Sequence, residues 1–145
     1  MRKQLFTLLW LVAMAATAEV PPGILQVEIT GLKDETGDVY IAIYRPQDDW
    51  LGDEAFASRK VVIAEALEGE VVAAEFELPV GDYAFTAFHD ANGNGELDTN
   101  FFGLPKESIA MSNNAKAKFG PPKYEDAVFV LELEPVIQRV SMGSL

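Results

Sequence analysis

The segment HDANGNGELDTNFFG, residues 89 to 103, concentrates the side chains that could do chemistry. Counting Asp90 as position 1 puts Asn92 at 3, Asn94 at 5, Gly95 at 6, Glu96 at 7 and Asp98 at 9. Alternate oxygen-bearing residues on a tightly curled backbone converge on one hard cation, and a glycine at the sixth position permits the sharp turn. The expected cofactor is Ca2+. Asp90, Asn92, Asn94 and Asp98 would contribute side-chain oxygens, and Glu96 its carbonyl. Position 12, where such loops carry a bidentate glutamate, is Phe101. The closing carboxylate must then come from elsewhere, with Glu107 the nearest candidate and Asp126 a second. Extracellular loops of this kind hold calcium with dissociation constants of roughly 10⁻⁴ to 10⁻³ M.

Two other chemistries compete for the same residues. Asn-Gly and Asp-x-Asn are also ordinary turn formers, because Asn tolerates positive φ and bonds to its own backbone. His89, the only histidine, stands beside Asp90, which raises a hydrolase using His89 with Asp90 or Glu107. Adjacent residues on a strand point to opposite faces, so the orienting His-Asp bond is disfavoured. There is no G-x-S-x-G elbow and no cysteine nucleophile, and one histidine does not build a typical zinc site. Should Phe85 and Ala87 face the core, His89 does too, as a buried brace for the loop. The expected catalytic set is therefore none.

Residues 1 to 18 read as a signal peptide. Arg2 and Lys3 precede the apolar run Leu5 to Met14, and Ala16-Thr17-Ala18 offers a small-residue cleavage site. Cleavage near Ala18 would deliver the remainder to the periplasm or beyond. Residues 19–145 form one ordinary domain with no transmembrane segment expected. Loss of Arg2 and Lys3 leaves 9 basic against 23 acidic residues, a net charge of 9 minus 23, or −14. That field repels nucleic acid and anionic lipid, and favours cations or basic surfaces. Without cysteines, an exported chain must hold together by its core, with help from a metal where one binds.

The elements that must carry the loop are short alternating runs divided by turn residues. Strands are expected at 24–30, 38–44, 60–66, 70–78, 83–89, 127–134 and 136–142. A hairpin is expected at Glu68-Gly69, joining the third and fourth. Val72, Ala74 and Phe76 alternate with glutamates, as do Phe129, Leu131 and Leu133. One face buried and one solvated implies an all-β, antiparallel two-sheet β-sandwich of about seven strands. Residues 45–58 and 89–122 are long loops, and loops of that length are generally organised by something. Trp50, Phe56, Phe101, Phe102 and Phe119 are expected to pin these loops to the core. Tyr83 is placed to bond back to the chain, as in a tyrosine corner.

The block F-H-D-x-N-x-N-G-x-x-D-x-N-x-x-G-x-P-x-E, Phe88 to Glu107, is followed by Ser112-Asn113-Asn114 and preceded by L-P-x-G-x-Y, Leu78 to Tyr83. Together these resemble an uncharacterised family of secreted bacterial proteins, a domain of unknown function. The resemblance implies a periplasmic or surface sandwich and brings no activity. The L-P-x-G-x-Y turn is also similar to one in transthyretin-like and collagen-adhesin B-type (Ig-like) sandwiches, some of which bind calcium. The expected function is thus an exported, non-enzymatic β-sandwich module with a calcium loop, binding a protein, glycan or small ligand in the envelope. A metal-free structural envelope protein is the other non-enzymatic reading. The sequence leaves the oligomeric state open.

Overall fold

The computed structural model describes residues 19–143, so the expected signal peptide lies outside the described residues. Strand β1, Gly23–Thr30, buries Leu25, Val27 and Ile29 and leaves Gln26, Glu28 and Thr30 half-buried. The same period-two pattern shapes β2 (Asp38–Tyr44), β5 (Val71–Leu78) and β6 (Gly81–Asp90). Shorter strands complete the set: β3 (Ala57–Val62), β4 (Leu67–Glu68), β7 (Ile109–Met111), β8 (Phe129–Leu131) and β9 (Val136–Ser141). Among the described residues, no helix is long and apolar enough to cross a membrane.

The strands form two sheets, as a sandwich requires. One has the order β4-β5-β1-β9; the other runs β3-β2-β6, with β7 and β8 both on the remaining edge of β6. Leu25, Val27, Ile29, Val72 and Phe76 of the first sheet pack with Ile41, Ile43, Phe85 and Ala87 of the second. Each such large side chain stabilises the fold by roughly 1.5–3 kcal/mol through removal from water.

Four features depart from the sequence reading, one being β7, which lies inside the expected 89–122 loop. The strand expected at 60–66 ends at Val62, and the one-turn helix Ile63–Ala66 follows it. Strand β3 then pairs with β2, while only the two-residue β4 pairs with β5 in the expected hairpin. Ile63, fully buried, sits at this change of sheet, so an unbroken apolar run belongs to two layers. Next, β9 pairs with β1 in parallel, because the two strands come from opposite ends of the domain and no tight turn dictates their direction. Lastly, the strand expected at 127–134 is reduced to three residues after the one-turn helix Tyr124–Ala127, and Leu133 is exposed.

Ser112-Asn113-Asn114 forms a single 3₁₀ turn that seals both sheets. Strand β8 covers Gly81–Tyr83 and β7 covers Thr86–Phe88, which leaves a gap on the β6 edge. The fully buried Ser112 hydroxyl fills it, accepting from the Phe85 N–H at 2.9 Å and donating to the Ala127 carbonyl at 2.6 Å. Asn113 and Asn114 take positive φ values of 58° and 50°, which Asn tolerates better than most residues. The Asn114 amide then acts as a substitute peptide group on the open edge of β9. It donates to the Arg139 carbonyl at 3.1 Å and accepts from the Ser141 N–H at 2.9 Å. Asn113 and the Gln138 side chain exchange a second pair of bonds at 2.9 and 3.1 Å. An edge occupied this way is closed to pairing with another chain. At the opposite turn, the Tyr83 hydroxyl donates to the Pro79 carbonyl at 2.8 Å, the bond expected of a tyrosine corner.

Replacement of Ser112 by Ala strands the Phe85 N–H and the Ala127 carbonyl in the core. Urea unfolding of Ser112→Ala should show a loss of about 1–3 kcal/mol with an unchanged m-value.

Candidate functional site

Strand β6 delivers Asp90 to the head of the loop and buries it completely. Gly37 makes this possible: at φ +78° it lies so close that a side chain there would run into the Asp90 carbonyl oxygen. A buried carboxylate needs hydrogen bonds, and the loop supplies them from its own backbone. Asp90 Oδ1 accepts from Gly93 N–H at 2.7 Å and Asn94 N–H at 3.2 Å; Oδ2 accepts from Gly95 N–H at 2.7 Å. The curl that aims these N–H groups inward needs positive φ at Gly95, which has 79°.

The other candidate ligands gather round this turn. Asn92 Oδ1 accepts from Asn94 N–H at 3.1 Å, and Asn94 Oδ1 from Glu96 N–H at 2.9 Å. Their amide groups turn to Asp98: Asn92 Nδ2 reaches Oδ2 at 2.6 Å and Asn94 Nδ2 reaches Oδ1 at 3.2 Å. Glu107 comes back to the loop, its Oε2 accepting the Asp98 N–H at 3.1 Å. Asp126 does not join them; it accepts from Lys123 N–H in its own helical turn. The Glu96 side chain is exposed. The donor set is all oxygen, with three carboxylates and two amide carbonyls, which suits calcium far better than zinc. Among the described residues, no three acidic or histidine side chains are already drawn together as a metal cluster.

Between Asp98 and Glu107 the chain makes a small excursion. Thr99 bridges Pro105, and the Asn100 carboxamide accepts from Phe102 N–H at 2.9 Å and Leu104 N–H at 3.1 Å. Its tip presents Phe101 and Phe102, 98% and 82% exposed, and Phe119 is equally bare. These three do not pin their loops, contrary to expectation. The tight turn at Asn100 leaves the Phe101 and Phe102 side chains no core to reach. Trp50 and Phe56 do pin theirs. Trp50 Nε1 donates to the Pro122 carbonyl at 2.9 Å and its ring meets Tyr44 and Tyr124 edge-on. Burial pushes the Tyr124 phenol up to about 12. Phe56 packs on the core beside Tyr83.

His89 is buried, and its Nε2 lies 2.7 Å from the Thr36 carbonyl in the β1–β2 turn. Asp34, whose carboxyl is held below its ordinary value chiefly by a bond from the Thr36 hydroxyl, approaches the same nitrogen to 3.8 Å. Among the described residues, His89's side chain makes no hydrogen bond to Asp90 or Glu107. It braces the β1–β2 turn, while its backbone N–H holds Ser108 at 2.9 Å where the long loop returns.

The loop also roofs a cleft of about 790 Å³ on the outer face of the five-stranded sheet. Tyr40 and Phe88, paired across β2 and β6, stack as its floor with ring centroids 5.1 Å apart and planes at 7°. Leu97 and Leu104 come from the Asp90 loop, and Pro121 and Pro122 from the segment beyond it. Sequence reasoning missed this site, though a signal existed. DVYIAIY and GDYAFTAFH carry apolar or aromatic residues on both faces, as strands covered on both sides do.

The family model described as "Uncharacterized protein conserved in bacteria (DUF2141)" matches residues 27–138, from within β1 to within β9. No curated protein and no solved structure matches the chain.

Asp90→Ala removes the acceptor of three loop N–H groups. It should lower stability by on the order of 3 kcal/mol in calorimetry, and hydrogen exchange should show amides 93 to 95 losing protection.

Proposed function

The chain belongs to the DUF2141 family of bacterial proteins, and we propose that it is an exported, non-enzymatic binding module whose 90–107 loop is held in shape by one calcium ion. The observation that carries this reading is the buried Asp90 carboxylate gathering three consecutive backbone N–H groups. Around it stand oxygens at the third, fifth and ninth positions, and Glu107 returns where position 12 offers only Phe101. In this reading Asp90 is the anchoring ligand. Asn92 and Asn94 present their carbonyl oxygens once their amides turn over, which gives up the bonds those oxygens accept from the Asn94 and Glu96 N–H groups and must be offset by the cation. Asp98 then loses its two amide partners and turns to the cation, and Glu107 closes the shell. The basic n-region, apolar stretch and A-x-A site of residues 1–18 support export, into compartments where millimolar calcium is ordinary.

A second reading rests on a specific observation: both oxygens of Asp98 already accept amide N–H groups from Asn92 and Asn94. Two donor dipoles aimed at one carboxylate do part of what a cation would do, and the loop then needs no metal.

The two readings separate in a thermal melt of the mature chain. At about 10 mM calcium against a dissociation constant near 0.1 mM, linkage adds roughly 2.7 kcal/mol, a rise in Tm on the order of 10 °C. Asp98→Asn keeps the shape of the side chain but removes its charge, so the calcium-dependent rise should shrink to less than half. A wild-type Tm indifferent to calcium would sink the metal and leave the amide-closed loop.

A further inference from the structure

We propose that the cleft beneath the Asp90 loop binds a small organic cation with a flat apolar body, such as an aromatic amine. This deepens the reading of the chain as a binding module but does not depend on calcium.

The cleft's volume, about 790 Å³, falls among those that bury most of a drug-sized molecule. Its lining is mainly apolar, with a few hydroxyls, Ser58 and Thr86 among them, on or beside the floor. The stacked Tyr40 and Phe88 rings both line the cleft, and aromatic groups attract flat rings and positive charge. A long protein segment would bridge the exposed Phe101, Phe102 and Phe119, but those rings stand at the tips of the loops, not on the floor. None of the three lines the cleft.

Charge selects among flat apolar ligands. Asp53 and Lys118 are the two charged residues in the lining, so the cleft could in principle favour either sign. The acids dominate. Asp53 and Asp49 both act on the Tyr44 phenol at this end of the cleft. Burial pushes that phenol up, and the two carboxylates add to the rise; its hydroxyl donates to the Gly52 carbonyl at 2.9 Å. The whole chain carries 23 acidic against 11 basic residues, a field that concentrates cations at the mouth and repels anions.

Tryptamine, tryptophol and indolepropionate share one indole-ethyl body and differ in carrying a positive, neutral or negative end. Calorimetric titration of the mature chain should find tryptamine bound about tenfold more tightly than tryptophol, and indolepropionate weakest. Ala42 lies half-buried in the lining beside the aromatic pair, and Ala42→Phe should abolish tryptamine binding. Asp53 is exposed in its loop, so Asp53→Asn should fold normally, keep tryptophol binding and lose the preference for the amine. Absence of saturable tryptamine binding would overturn the proposal. So would tighter binding of indolepropionate, which would make Lys118 the selecting charge, or unchanged binding in a folded Ala42→Phe. Each titration is run in EDTA and in calcium. Tryptamine binding in both supports the cleft even where calcium leaves Tm unmoved. A calcium-raised Tm without tryptamine binding overturns the cleft and leaves the calcium loop standing.

Discussion

A carboxylate shut away from water must find its hydrogen bonds inside the protein, and Asp90 is completely buried at the end of β6. Its three acceptor bonds fix the orientation of three successive peptide groups, and everything downstream follows from that curl. Asn92, Asn94 and Asp98 fall on the concave side, Glu107 is drawn back to Asp98, and the excursion between them pushes two phenylalanines into solvent. Gly37 belongs to the same constraint from the other side, since only a residue without a side chain lets the β1–β2 turn lie against the Asp90 carbonyl. The loop's shape is an electrostatic consequence of one buried acid.

The loop matters because of what it covers. Outward-facing positions of β2 and β6 carry Tyr40, Ala42, Thr86 and Phe88, a surface too apolar to be left bare. Leu97 and Leu104 reach over it from the Asp90 loop, and the 117–122 segment, tied down through Trp50 and the Pro122 carbonyl, reaches over it from the other side. The candidate metal loop and the cleft therefore share a wall.

Side chains also solve the sandwich's edge problem. Strand β6 has β2 on one side and two short strands on the other, and the junction between those two is closed by one serine hydroxyl. Strand β9 would offer an open row of backbone groups, and Asn114 occupies it with an amide that copies a peptide bond. Both devices come from one tripeptide, whose two left-handed asparagines turn the chain tightly enough to serve both sheets.

Taken alone, the sequence determined the layer architecture, because period-two burial is local: strands at 24–30, 38–44, 70–78 and 136–142 are legible within a residue or so. It also showed that Asp90, Asn92, Asn94 and Asp98 would share one turn, since oxygen spacing and glycine placement are local chemistry too. That His89 lies buried followed from the alternation of Phe85 and Ala87 before it. Long-range geometry decided the rest. No spacing rule distinguishes Glu107 from Asp126 as the acid that returns to the loop; only the fold of the chain between them does. Nor could periodicity assign 57–62 to one sheet and 67–68 to the other, foresee β7 inside a loop, or set β9 parallel to β1, because pairing energy depends on partners distant in sequence. The cleft is the plainest case. Its floor comes from two strands and its roof from two loops, and an aromatic on a strand lines a cleft only when packing leaves space above it.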